Sequence, residues 1–363
     1  MKTGPFASWQ IPNLNGPSLP PHVTDGLRAA ADAEECGERP VSRSIALLSN
    51  AGLLGDDGSA DPICTARALM QVGAANLSVG RLWEGHVNAL RLIHLYGSAA
   101  LKLNVDALIA EGAVLGVWGA DGPVPVTLDA SGTRLQGAKR FTSGLGTVSH
   151  ALVSVGCDVG VRLALVDVRD PDRADTSCWN MQGMRASASG NFDFSGLKVQ
   201  DWIGGPDDYL KEPNFVGGVW RIAALQAGAA IGLLDQAATD LRAMDRMQTE
   251  AQQARLMTVL TRAWAGAALA ERAAQASVDC SLEAEQIVAT SIAARLFTEE
   301  VGLDAIRASE QSIGLRHFES GAETGRMARD LAVYMRQAAR DAFLQRTARQ
   351  ALGQDDRAWG VFG

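Results

Sequence analysis

The chain has 363 residues, is 47% hydrophobic and carries a formal net charge of −8, which is enough for a large core and two or three domains. Its acidic balance, with a pI near 5.2, argues against a nucleic-acid partner, which would need a concentrated basic face. No apolar run approaches the ~20 residues that span a bilayer, and the amino terminus has only Lys2 ahead of Gly4-Pro5, so neither a membrane partner nor a signal peptide is expected and the address is cytoplasmic.

In chain order, residues 1–25 are rich in Pro, Gly and Asn and read as an irregular leader. An N-terminal helical domain follows over 26–111. Glu34 to Leu54 forms a helix pair interrupted at Arg39-Pro40, Gly52 to Pro62 a Gly/Asp loop, and Ile63 to Leu77 and Gly80 to Tyr96 two helices, the second with Gly97 in the C-cap position. Over 112–206 the pattern changes to strands. His150 to Val155 and Val161 to Asp167 alternate or run apolar, and Phe192-Asp-Phe194 leads into Leu197-Lys-Val199. From 207 to 352, long Ala- and Leu-rich windows keep helical stripes such as Ile222, Leu225, Ala229 and Leu233. Four segments are expected there: Phe215–Arg246, Ala251–Cys280, Leu282–Glu310 and Thr324–Leu352, followed by a tail over 353–363. The predicted class is α+β multidomain, with an N-terminal helical domain, a central β-barrel-like domain and a C-terminal four-helix bundle. Trp220, Trp264 and Phe297 give the bundle more apolar stripe than one core needs, so a homodimer or homotetramer is expected. The five cysteines are scattered without Cys-x-x-Cys spacing and read as reduced; the five histidines form no metal constellation.

Two short patterns carry the functional signal. Gly137-x-Lys139-x-Phe141-Thr142-Ser143-Gly144 and Gly183-x-Arg185-x-Ser187 stand either side of the central strands. Alone, the first reads as a turn in which Gly144 supplies a positive φ and Ser143 a cap. With Phe194-x-Gly196-x-x-Val199, Gln311-x-x-Gly314 and Arg329-Asp330 at matching spacings, the set resembles the acyl-CoA dehydrogenase superfamily of flavoproteins, over roughly Asp61 to Leu352.

That resemblance implies an acyl-CoA dehydrogenase-like fold, FAD as cofactor, and α,β-dehydrogenation of an acyl-CoA or related acyl substrate, with electrons passed to a protein partner. It places Phe141, Thr142, Ser143 and Ser187 against the flavin, with Trp118 standing where the family has its threonine strand-loop. Gln311 and Gly314 would approach the dinucleotide of a neighbouring subunit. Arg81, Glu84 and His86 would floor the acyl pocket, although Arg81 and Glu84 also read as a solvated i, i+3 pair. Arg221 would organise the catalytic loop.

The departures matter as much. The family's base is a carboxylate, because α-proton removal needs a general base at the reacting carbon. Its two usual positions hold Ala338 and Trp220. Asp341, three residues beyond Ala338, and Glu84 or His86 across the pocket are the replacements in reach. Met244 to Gln253 has only Arg246 and no Arg-x-x-Phe-Gly motif. Two other readings stay open: a catalytically silent binding protein, and a flavin oxidase or monooxygenase of the same fold. Whether Arg316, Arg326, Arg329, Arg336 and Arg340 form a CoA phosphate site or a solvated face is also open.

Overall fold

The computed structural model describes residues 19–362, so most of the expected leader lies outside the described residues. Helix α1 (Pro21–Glu35) begins inside that leader, because Pro21 presets the first helical turn. The expected helix pair is therefore the end of α1 followed by α2 (Ser42–Asn50). Helices α3 (Pro62–Ala75) and α4 (Leu77–Tyr96) are capped by Asp61, which accepts from Cys64 N at 2.9 Å, and by Asn76, which accepts from Val79 N at 3.2 Å. Gly97 ends α4 in an extended conformation rather than a left-handed one; a side chain there would press on Ile93 O at 2.6 Å. Helix α5 (Ala99–Ala110) completes this part.

Nine short strands follow: β1 (Leu115–Trp118), β2 (Thr127–Leu128), β3 (Leu135–Gln136), β4 (Ala138–Thr142), β5 (His150–Cys157), β6 (Gly160–Asp167), β7 (Ala174–Asp175), β8 (Gly190–Asp193) and β9 (Asp201–Ile203). One sheet runs β3-β2-β5-β6-β9 with β1 parallel to β5, and the other runs β4-β8-β7. The β5–β6 hairpin is in register from His150 against Asp167 to Cys157 against Gly160. Leu197 to Val199, expected as strand, forms none. The sheets meet through Trp118, Phe192 and Phe194, whose ring centroids lie 5.0 to 6.3 Å apart. Between them Lys139 is buried and donates to Asp121 at 2.5 Å and to Ser154 at 2.7 Å, which satisfies the charge that burial would otherwise penalise.

Helices α6 (Trp220–Ala243), α7 (Glu250–Ala276) and α8 (Ala284–Ile313) form the centre of the bundle. The fourth expected segment is broken. It forms α9 (Glu323–Tyr334) and α10 (Arg340–Leu352), separated at Met335 to Ala339, where Ala339 takes a left-handed φ of 63°. Helix α3 packs on α6 so closely that side chains at Gly228 and Gly232 would strike the backbone of Met70 and Ala74. By length and composition the helical stretch Val216–Ala243 could cross a membrane, contrary to the expectation from apolar runs; 83% of its apolar window is buried in the protein, as befits a core helix.

Candidate functional site

A cavity of about 730 Å³ opens between the β-domain and the end of α9. Its β wall begins at Phe141 and Ser143. A bulge between Arg140 and Thr142 gives Phe141 a φ of 56° and turns its ring outward, leaving it 55% exposed. The ring meets Trp179 edge-on, with centroids 6.4 Å apart. Gly144 has a φ of 86°, so the turn reading of this pattern also holds. Trp118 donates from its indole nitrogen to Ser143 O at 3.2 Å and stands behind the wall in the sheet core. Thr142 is likewise buried, donating to Gly190 O at 2.9 Å and fastening β4 to β8. Neither touches the cavity, which corrects their expected place beside the flavin.

The second pattern supplies the rest of this wall. Met184, at φ 57°, and Ala188, at φ 42°, bend the chain so that Met184, Ser187 and Ser189 face the cavity. Ser187 donates to Met184 O at 2.6 Å, and Ser189 donates to Ser143 Oγ at 3.0 Å. The Ser143 proton then has no acceptor among the described residues, so the hydroxyl relay presents one donor to whatever fills the cavity.

The opposite wall comprises Arg81 from α4, the residues Ala332 to Tyr334 closing α9, and Arg336, Gln337 and Ala338 in the break. Tyr334 lines the cavity; its buried hydroxyl has no hydrogen-bond partner among the described residues, and burial together with Glu84 pushes its pKa far up. Glu84 lies behind this wall: it accepts from Arg81 at 2.8 Å and from Arg221 at 3.5 Å, and Arg221 donates to Asn88 at 2.6 Å. Arg81 and Glu84 are therefore no solvated pair, and Glu84, held by two guanidiniums, is not poised as a base.

His86 is fully buried. Its Nδ1 accepts from Leu115 N at 2.9 Å, so Nε2 carries the proton and donates to Leu54 O at 2.7 Å. Burial pushes its pKa down to about 4. It is a strut between α4, β1 and the 53–55 turn, not a pocket floor. Asp341 is also misplaced by the sequence reading. The break at 335–339 takes it off the helical face it would share with Ala338, and its side chain is 90% exposed in the first turn of α10. Gln311 and Gly314 lie exposed at the end of α8 and do not line the cavity. The arginines do not gather: Arg326 is held by Glu323 and Asp330, Arg340 by Glu299 and Glu300, and only Arg336 reaches the cavity.

The cavity thus unites Phe141, Ser143, Ser187 and Arg81 with eight residues to which sequence reasoning gave no site role: Trp179, Met181, Met184, Ser189, Ala332, Val333, Tyr334 and Gln337. Of these, Met184 and Ser189 had a visible signal as members of the 183–190 pattern, and Tyr334 as the tyrosine that places Ala338. The volume lies in the ~300–1,000 Å³ range of small-molecule sites. Aromatic and thioether surface with one free hydroxyl donor fits a planar heterocycle such as the flavin implied by the sequence. Among the described residues, no carboxylate or imidazole lines it.

No family model matches the chain, and no curated protein matches its sequence. Solved structures do match in three dimensions. The dibenzothiophene monooxygenase TdsC from Paenibacillus sp. A11-2 superposes with a TM-score of 0.80 at 18% identity, over 92% of this chain and 95% of its own; the same protein has been solved with FMN and indole. The nitrososynthase from Micromonospora carbonacea var. africana matches at TM-score 0.75 and 20% identity over 92% and 94%. KijD3, in complex with FMN and a dTDP-linked amino-keto sugar, matches at 0.76 and 20% over 93% and 94%. At these identities the likeness is one of fold, and the fold is the acyl-CoA dehydrogenase-like one.

Proposed function

We propose that the chain is a flavin-dependent oxidoreductase of the monooxygenase or oxidase kind, acting on a small, largely apolar substrate. The observation that carries this is the composition of the cavity: an aromatic, hydroxyl-bearing β wall faces a helical wall that, among the described residues, has no proton-accepting carboxylate or imidazole. Dehydrogenation of an acyl-CoA needs such a base at the α-carbon, and Asp341, Glu84 and His86 all lie outside the cavity. Oxygen chemistry does not need it. A bound reduced flavin would supply the two electrons for dioxygen, with one oxygen atom entering the substrate and the other leaving as water in a monooxygenase, or both leaving as hydrogen peroxide in an oxidase. The protein's share is to hold the ring on Phe141 and Ser143, exclude water with Trp179, Met181 and Met184, and present Gln337 and Arg336 to the substrate's polar end. An electron-transfer partner would deliver the reducing equivalents.

FMN suits the chain better than the FAD implied by the superfamily. The Arg-x-x-Phe-Gly motif, whose arginine would meet the FAD pyrophosphate, is missing. The TdsC and KijD3 structures hold FMN. Assembly as a homodimer or homotetramer belongs to the same reading, since Trp264 on α7 remains 52% exposed beside half-exposed Met257.

The test uses purified protein titrated with FMN and with FAD. Tighter FMN binding, reoxidation of bound reduced FMN by oxygen with an oxygenated product from indole, and no bleaching by acyl-CoA under nitrogen are the expected results. Rapid bleaching by acyl-CoA would restore the dehydrogenase, and failure to bind either flavin would leave a silent binding protein.

A further inference from the structure

Three consecutive backbone N–H groups of the 183–190 turn are held by carboxylates from two distant helices. Glu35, the last residue of α1, accepts from Arg185 N and Ala186 N, both at 3.0 Å. Asp330 of α9 accepts from Met184 N at 2.7 Å and from the Arg326 guanidinium at 2.9 Å. Both carboxylates are buried. Two features show that this arrangement serves the turn. An acidic residue at a helix C-terminus opposes the helix dipole, so α1 gains nothing from Glu35 there. Met184 and Ala188 also sit at positive φ, conformations that persist only where neighbours over-determine them. The turn carries Met184, Ser187 and Ser189 of the cavity wall, and Trp179, another wall residue, donates its indole N–H to Met184 O at 3.0 Å.

We propose that Glu35 and Asp330 are positioning residues of the cavity: together they fix the 184–186 backbone against α9 and thereby set the shape and affinity of the ring-facing wall. The affinity part rests on the flavin reading; the anchoring part does not. The charged groups around Asp330 are Glu35 from α1 and Arg326 and Arg329 from α9, with Glu323 behind Arg326. Burial and the Glu35 charge raise the Asp330 carboxyl to about 7. Ionised together, Glu35 and Asp330 repel each other, and the Arg326 guanidinium offsets part of that repulsion.

The experiment follows amide hydrogen exchange in ligand-free wild type, Glu35→Gln, Glu35→Ala and Asp330→Asn, then titrates each with riboflavin. Exchange at 184–186 should quicken at least tenfold in Glu35→Ala and less in Glu35→Gln, which keeps one acceptor oxygen, while α6 amides stay as in wild type. Riboflavin should bind at least fivefold more weakly to Glu35→Ala. Asp330→Asn, which keeps the side-chain size but loses the charge facing Arg326, should likewise quicken exchange at 184 and weaken riboflavin; this arm decides the matter even where Glu35→Ala does not fold. Wild-type exchange at 184–186 in both Glu35→Ala and Asp330→Asn overturns the proposal, as do freed amides with unchanged riboflavin affinity. A wild type that binds neither riboflavin nor FMN sinks the flavin reading instead, and hydrogen exchange then decides the anchor alone.

Discussion

The two walls of the cavity are built on different principles. The β wall comes from two short patterns whose glycines and bulge impose unusual backbone angles; Ser187 donates to Met184 O, and Ser189 donates to Ser143, whose own proton is left for a ligand. The helical wall is the end of α9 and an irregular break, and its cavity-facing side chains are mostly apolar or cationic. Such a division separates holding a ring from doing proton chemistry. A chain can keep the first on the β side while Ala338 occupies the place where the second would need a carboxylate, and the fold does not register the loss.

The largest effect should come from prising the walls apart. A side chain at Gly183 would meet Arg329 C and O at 2.5 Å and Asp330 N at 2.8 Å, all main-chain atoms of α9 that cannot rotate away. Gly183→Ala should therefore destabilise the protein by about 3 kcal/mol, at the upper end of overpacking effects, and abolish flavin binding. Urea unfolding measures the first. A wild-type midpoint would show that the turn and α9 are not seated on each other.

His86 ties α4, which carries Arg81 of the helical wall, to β1 beneath the β wall. Its folded pKa of about 4 lies below the ordinary 6.5, so the unfolded chain takes up the proton first as pH falls. Its contribution is full above pH 6.5 and lost progressively down to 4. At pH 5 the penalty relative to pH 8 is about 2 kcal/mol. Asp330, raised toward 7, acts with the opposite sign over part of that range, so the informative quantity is the difference between wild type and His86→Gln. Destabilisation between pH 8 and 5 should be smaller in the variant by that amount. Parallel curves would mean that His86 is wet or charged.

The β wall was largely legible in the sequence because its determinants are local: Gly137, Phe141, Ser143, Gly144 and Ser187 stand within short patterns, and glycine is demanded where φ is positive. Lys139 was legible as part of the pattern, but its job as a buried strut to Asp121 and Ser154 was not. The helical wall was poorly legible because it depends on where a helix stops. Thr324 to Leu352 keeps a helical composition throughout, and nothing local announces that Ala339 turns left-handed and carries Asp341 into solvent. Glu84 and His86 failed for another reason. Both are of the right chemical type and on the right helix, but their hydrogen-bond partners, Arg221 across the bundle and Leu115 on β1, are tertiary and decide the role.

A smaller effect distinguishes which wall binds the ring. Ser143→Ala removes the relay's terminal donor and should weaken FMN about five- to tenfold, as expected for one hydrogen bond of about 1 kcal/mol. Gln337→Ala on the helical wall should leave FMN affinity within twofold while weakening indole. The reverse pattern would place the ring on the helical wall and the substrate against Phe141.

The smallest expected effect is none. Asp341 is the nearest carboxylate in sequence to Ala338, yet its side chain is almost fully exposed, 3.9 Å from Arg340, whose guanidinium is already engaged by Glu299 and Glu300. A solvated carboxylate in that position is screened by water and makes no contact with the cavity. Asp341→Asn should leave the unfolding midpoint, FMN affinity and turnover of indole unchanged within error, whereas Ala338→Glu introduces a carboxylate directly into the wall and should weaken binding of anionic substrates. A tenfold loss of turnover in Asp341→Asn, with FMN affinity intact, would mean that the 335–339 break refolds around substrate and swings α10 inward. The helical wall would then own an acid–base residue after all, and the division of labour between the two walls would collapse.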